Sequence, residues 1–85
     1  MAHLIQPDGT VTEHTPKSGR DWSLEEMQFL IGGYIERVPT PKKYEAYCNE
    51  EGLLRKLPVN TLACLLLRVE LVGPILVLDK TERLP

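Results

Sequence analysis

A helix that runs into two glycines and then straight into a strand leaves a short chain few ways to fold, and here that corner is Gly32-Gly33-Tyr34-Ile35-Glu36. Gly32 can take the left-handed conformation that closes a helix without a Cβ penalty, and Gly33 lets the next strand leave at a sharp angle. Upstream, Trp22-Ser23-Leu24-Glu25-Glu26 carries the helix start. Ser23 is the N-cap, Glu26 completes an S-x-x-E capping box, and Trp22 is placed to staple onto Met27. The helix predicted between these signals runs from Leu24 to Ile31. Leu24, Met27, Phe29, Leu30 and Ile31 form its core-facing stripe, and Glu25 and Glu26 sit in its first turn, where the helix dipole favours acids.

The segments on either side read as strands and one more helix. Ala2 to Gln6 and Thr10 to Thr15 flank Pro7-Asp8-Gly9, a type I turn with Gly9 at the left-handed position of a bulged hairpin loop. That register pairs Ile5 with Val11 and His3 with Glu13, which brings two apolar residues together on one face. Tyr34 to Val38 and Tyr44 to Cys48 form a second hairpin, its loop being the proline-bearing Pro39 to Lys43. Asn49-Glu50-Glu51-Gly52 is a turn, Leu53 to Lys56 an extended piece or further strand, and Asn60 the N-cap of a second helix from Thr61 to about Leu71. After Gly73-Pro74, the run Ile75-Leu76-Val77-Leu78 has the pattern of a strand buried on both faces. The predicted fold is α+β, in the order ββαββ(β)αβ, with a small mixed or antiparallel sheet and two helices.

Size and charge exclude several function classes. Eighty-five residues, 42% hydrophobic and 26% charged, make one domain over residues 1–80, with 81–85 expected to be a mobile tail. A net charge of −2 and ten scattered Lys and Arg residues disfavour a nucleic-acid backbone. The longest apolar run, Leu62 to Leu67, is far short of the ~20 residues that cross a bilayer, and the N-terminus carries no signal pattern. Cys48 and Cys64 form no C-x-x-C pair, so they read as reduced thiols in the cytoplasm. A chain this small buries only about 60–65% of the surface its unfolded form exposes. Self-association is one remedy, and the apolar residues of the second helix, Leu62, Leu65, Leu66, Leu67 and Val69, point in more directions than one core receives. A symmetric dimer or larger is expected.

The polar residues best placed to share a cleft are Tyr34, Glu36, Asn49, Glu50, Arg55 and Asn60. Asn amides and carboxylates bond ribose or amide groups, Tyr stacks on a base, and a guanidinium receives phosphate. The unpaired N–H groups at the start of the second helix would favour an anionic or carbonyl-rich ligand. The alternative for each is plainer: Asn49 serving a turn, Asn60 a cap, Tyr34 the core. Arg20, Arg37 and Lys56 belong with Arg55 as surface cations. Glu50 and Glu51 are adjacent carboxylates on an exposed turn and are expected to be solvated charge rather than an acid and base pair. His3, His14 and Cys48 share no metal-ligand spacing, and neither Ser18 nor Ser23 has a His and Asp pattern for nucleophilic catalysis. No catalytic residue, metal or cofactor is expected.

With these elements placed, the chain resembles a family known as domain of unknown function 3846. The resemblance is carried by Leu4-Ile5-Gln6-Pro7-Asp8-Gly9-Thr10, Phe29-Leu30-Ile31-Gly32-Gly33-Tyr34-Ile35-Glu36, Asn49-Glu50-Glu51-Gly52, Leu57-Pro58-Val59-Asn60 with Ala63, and Val72-Gly73-Pro74-Ile75-Leu76-Val77. Cys64 stands where the family pattern leads to Thr. The resemblance implies a small cytoplasmic accessory protein of phages, prophages and mobile elements. By analogy such proteins bind host proteins or sequester host signalling nucleotides. The expectation is a homo-oligomer that sequesters a host factor such as a nucleotide-derived immune signal. Its rival is an inhibitor docking a host protein through a hairpin edge, or a purely structural interaction domain.

Overall fold

Strand β5 (Ile75–Leu78), the last element in the chain, is the middle of the sheet. The computed structural model describes residues 2–19, 21–39 and 45–78. The other elements are β1 (Ala2–Ile5), β2 (Val11–His14), α1 (Leu24–Ile31), β3 (Ile35–Val38), β4 (Glu45–Asn49) and α2 (Thr61–Leu67). The sheet order is β2-β1-β5-β4-β3 with every pairing antiparallel. Thus β5 joins two hairpins, and all four of its residues are buried, as a continuous apolar run requires. Among the described residues no helix is long and apolar enough to cross a membrane.

Alternation along the strands sorts the core into two halves. Ala2, Leu4, Tyr47, Leu76 and Leu78 face α1 and pack with Trp22, Met27 and Ile31. Ile5, Val38, Ala46, Ile75 and Val77 face the other way and pack with Ala63, Leu67 and Leu71. The sheet therefore lies between the two helices.

Local signals placed most elements. Gly9 has φ 92° and the hairpin pairs Ile5 with Val11 and His3 with Glu13. Gly32 is left-handed at φ 87° and its N–H reaches Gln28 O at 2.8 Å. Ser23 Oγ accepts the Glu26 N–H, while the Glu26 carboxylate accepts the Ser23 N–H and the Lys17 N–H. These bonds, that from Lys17 foremost, hold the Glu26 pKa below its ordinary value. A carboxylate whose pKa is lower folded than unfolded stabilises the fold fully above the unfolded value, here near 4.5, and loses that contribution as pH falls through the folded value. Acid titration of thermal stability should show wild type falling more steeply below that pH than Glu26→Gln. Parallel acid branches would contradict the capping role.

Three expectations are corrected. Leu53 to Lys56 is not a strand, because its backbone donors are satisfied locally: Arg55 N–H reaches Glu51 O, Lys56 N–H reaches Leu53 O, and Leu57 N–H reaches Gly52 O. Lys56 closes this turn at φ 54°. Helix α2 stops at Leu67, four residues early, since Arg68 takes the left-handed conformation at φ 58°. The chain then doubles back so that Leu71 O accepts the Asn60 N–H and Val72 bridges Val59. In α1, Met27 and Ile31 are buried but Phe29 is 86% exposed and Leu24 is also exposed. Two residues along a helix turn a side chain ~200° away, so Phe29 and Met27 cannot share a face. The loop 40–44 and the tail 79–85 lie outside the described residues, as does Arg20.

Cys64 helps hold the doubled-back segment. Its Sγ accepts the Leu71 N–H at 3.1 Å and donates to Leu71 O at 3.4 Å, the paired role of a hydroxyl. Cys64→Thr keeps donor and acceptor and should leave stability nearly unchanged. Cys64→Val keeps the bulk, loses both bonds and should cost about 1 kcal/mol. Equal melting shifts for the two variants would contradict this.

Candidate functional site

Because α2 is short, the α2 face of the sheet beside the edge strand β3 is left partly uncovered. The result is a groove of about 510 Å³. Val38 and Cys48 come from β3 and β4, Leu53 and Val59 line it from the 53–59 segment, and Cys64, Val69 and Leu71 from α2 and the segment after it. Charge enters at Glu36, Glu50 and Glu70, three carboxylates, while Arg37, which borders the groove, pairs with Tyr47 and so faces the α1 side of the sheet. Partial burial, and after it the Glu36 charge, pushes the Cys48 thiol pKa up. Its sulfur is therefore protonated at neutral pH and a poor nucleophile. Among the described residues no three His, Cys, Asp or Glu side chains are placed to hold a metal ion.

The six expected site residues divide into three groups. Glu36, Asn49 and Glu50 line the groove. Tyr34 and Arg55 belong to the adjoining corner: the Glu50 N–H reaches Tyr34 O at 2.9 Å, and the Arg55 guanidinium donates to Gly32 O at 3.4 Å. Arg55 is thus turned toward the end of α1 and is not among the groove's lining residues. Tyr34 is 66% exposed, so it is not the core residue that was its plainer alternative. Asn60 stands apart. It is fully buried, its Oδ1 accepts the Ala63 N–H, and its Nδ2 donates to Ile5 O and Gly73 O. The expected anion site at the start of α2 is accordingly occupied by the protein's own cap.

Asn49 links corner and groove. Its Oδ1 accepts the Glu51 N–H at 2.8 Å and so builds the turn that presents Glu50. A Cβ on Gly33 would stand 3.0 Å from Asn49 Nδ2, so a larger residue there would have to push the Asn49 amide aside by a few tenths of an ångström. The apolar lining was missed for a physical reason: Val69 and Leu71 look like a continuing helix, since a left-handed Arg68 leaves no glycine to mark the stop. A second hollow, of about 570 Å³ on the α1 side near His14, Lys17 and Phe29, gathers none of the expected residues.

No curated protein and no solved structure matches the chain. A family model described as Domain of unknown function (DUF3846) matches residues 1–83. With nearly the whole chain covered, the protein belongs to the DUF3846 family.

Proposed function

We propose that this is a non-catalytic accessory binding protein of the phage type, acting as a homo-oligomer in the host cytoplasm and capturing a host factor in the groove beside β3. The observation that carries this reading is the union of an apolar trough with an acidic lip at an open sheet edge. Apolar walls with a few convergent polar groups are the common form of a binding site. Three carboxylates oppose a phosphate-bearing ligand and suit a cationic one. The unpaired edge of β3 can add an extended peptide strand. The favoured factor is therefore a host protein segment with basic and apolar side chains.

The groove's volume supports a second reading, since ~300–1,000 Å³ is the range of small-molecule sites. In that reading the factor is a nucleotide-derived immune signal, and a cation must accompany it to offset the carboxylates. Native mass spectrometry of protein purified from signal-producing host cells separates the two. A protein-sized addition that Glu36→Lys abolishes is expected. A small-molecule addition favours the second reading, and no addition from any host strain contradicts the proposal.

A further inference from the structure

The edge strand β3 borders the groove, and one hydrogen bond fixes which of its backbone groups face outward. The Glu50 N–H reaches Tyr34 O at 2.9 Å, and the same register pairs Glu36 with Cys48 and Val38 with Ala46. Antiparallel partners alternate between pairs that exchange hydrogen bonds and pairs that do not, so Tyr34, Glu36 and Val38 are the residues bonded to β4. The N–H and C=O of Ile35 and Arg37 therefore point away from the sheet, and none of the described residues bonds to them. Pro39 is the next residue in that outward phase. It has no N–H, which limits the open donors to Ile35 and Arg37.

Side chains alternate across the same strand. Val38 is buried in the core half on the α2 side, and Glu36, two residues away, lines the groove with it. Ile35 packs against the α1 half of the core, and Arg37 lies opposite Tyr47 on that side. Charges and proline are how natural sheets keep an edge from pairing indiscriminately. Here they also define the strand that fits. A second copy of β3 does not: two-fold pairing through Ile35 and Arg37 puts Glu36 opposite Glu36, and the next register puts Arg37 opposite Arg37. Like charges directly opposite destabilise a sheet.

We propose that β3 takes an antiparallel strand of the host factor whose sequence runs apolar, acidic, basic, apolar. From its N-terminal end, the four side chains lie opposite Val38, Arg37, Glu36 and Ile35 in turn. The first and third face the groove, where the basic residue meets Glu36, with Glu50 and Glu70 on the same lip. The acidic second residue meets Arg37 on the other face. Main-chain bonds to Ile35 and Arg37 supply affinity, and the alternate side chains supply specificity.

This inference rests on the groove reading and adds to it a direction and a sequence. Titration calorimetry of the full chain tests it with two peptides blocked at both ends, Thr-Val-Glu-Lys-Val-Thr and Thr-Val-Lys-Glu-Val-Thr, which share composition and charge. The first should bind at least about ten-fold more tightly, and Arg37→Pro, which removes an N–H that the fold does not use, should weaken it about ten-fold. Thermal unfolding checks that this variant is folded. N-methylation of the first peptide repeats the test on the wild-type protein: at Glu, whose N–H faces β3, binding should be lost, and at Lys, whose N–H faces away, it should persist. Equal or reversed preference between the peptides, no binding at millimolar concentration, or full binding after methylation at Glu overturns the strand addition. A host factor still captured by Arg37→Pro but lost with Glu36→Lys overturns the strand and leaves the groove standing, whereas capture by both variants removes the two together.

Discussion

Asn60→Ala is expected to destabilise the protein by about 3–5 kcal/mol, several times the loss of an ordinary helix cap. The cap alone is worth ~1 kcal/mol, and the Ala63 N–H bond accounts for that part. The remainder comes from Nδ2, which donates at 2.8 Å to Ile5 O and at 2.8 Å to Gly73 O. Both bonds are buried, and each orphaned carbonyl costs roughly 1–3 kcal/mol. Asn60 thus fastens the end of β1 and the approach to β5 onto the start of α2. A chain of this length has a total stability of only ~4–13 kcal/mol, so the variant should be close to unfolding. Asn60→Asp keeps the cap acceptor but turns an anion on two carbonyls, and should be at least as damaging. Denaturant unfolding gives the answer, and a loss near 1 kcal/mol for Asn60→Ala would mean that the two donor bonds contribute nothing.

Trp22→Ala should cost a further large amount, about 3–5 kcal/mol. Trp22 is buried with Met27, Ile31, Tyr47, Leu76 and Leu78 in the core between α1 and the sheet. Removing the indole leaves a cavity that a core built on rigid strands cannot collapse to fill. Phe29→Ala is the contrast: a larger-than-average side chain with 86% of its surface in water, whose loss should stay within about ±0.5 kcal/mol. Similar unfolding midpoints for the two variants would reverse the assignment of which face of α1 meets the sheet.

These two residues show where the sequence was legible. Ser23, Glu26, Gly9 and Gly32 act within a few positions of themselves, so capping box, hairpin register and helix end could be read before any fold was known. The apolar run at β5 was legible because only a doubly covered strand tolerates it. Asn60 was visible as a cap, but its partner Ile5 lies 55 positions away, and no local pattern announces such a bond. Likewise, Lys56 and Arg68 end their turns in the left-handed region without being glycine. That hid the early stop of α2, and with it the groove. The six expected site residues came partly together because Ile35 pairs with Asn49 across β3 and β4, which brings the Gly33 corner to the Asn49 turn. Asn60 separated from them because its amide is fully used inside the protein.

The claim at the centre is that the factor lies in the groove beside β3, on the α2 side of the sheet. Amide hydrogen exchange on the protein carrying its purified factor, compared with the stripped protein, tests this most directly, since bound backbone and neighbouring amides open less often. Protection is expected in residues 36–39, 48–50 and 69–72, with none in α1. Protection confined to α1 and the hollow near His14 and Phe29, with the groove segments exchanging as in the free protein, would contradict it.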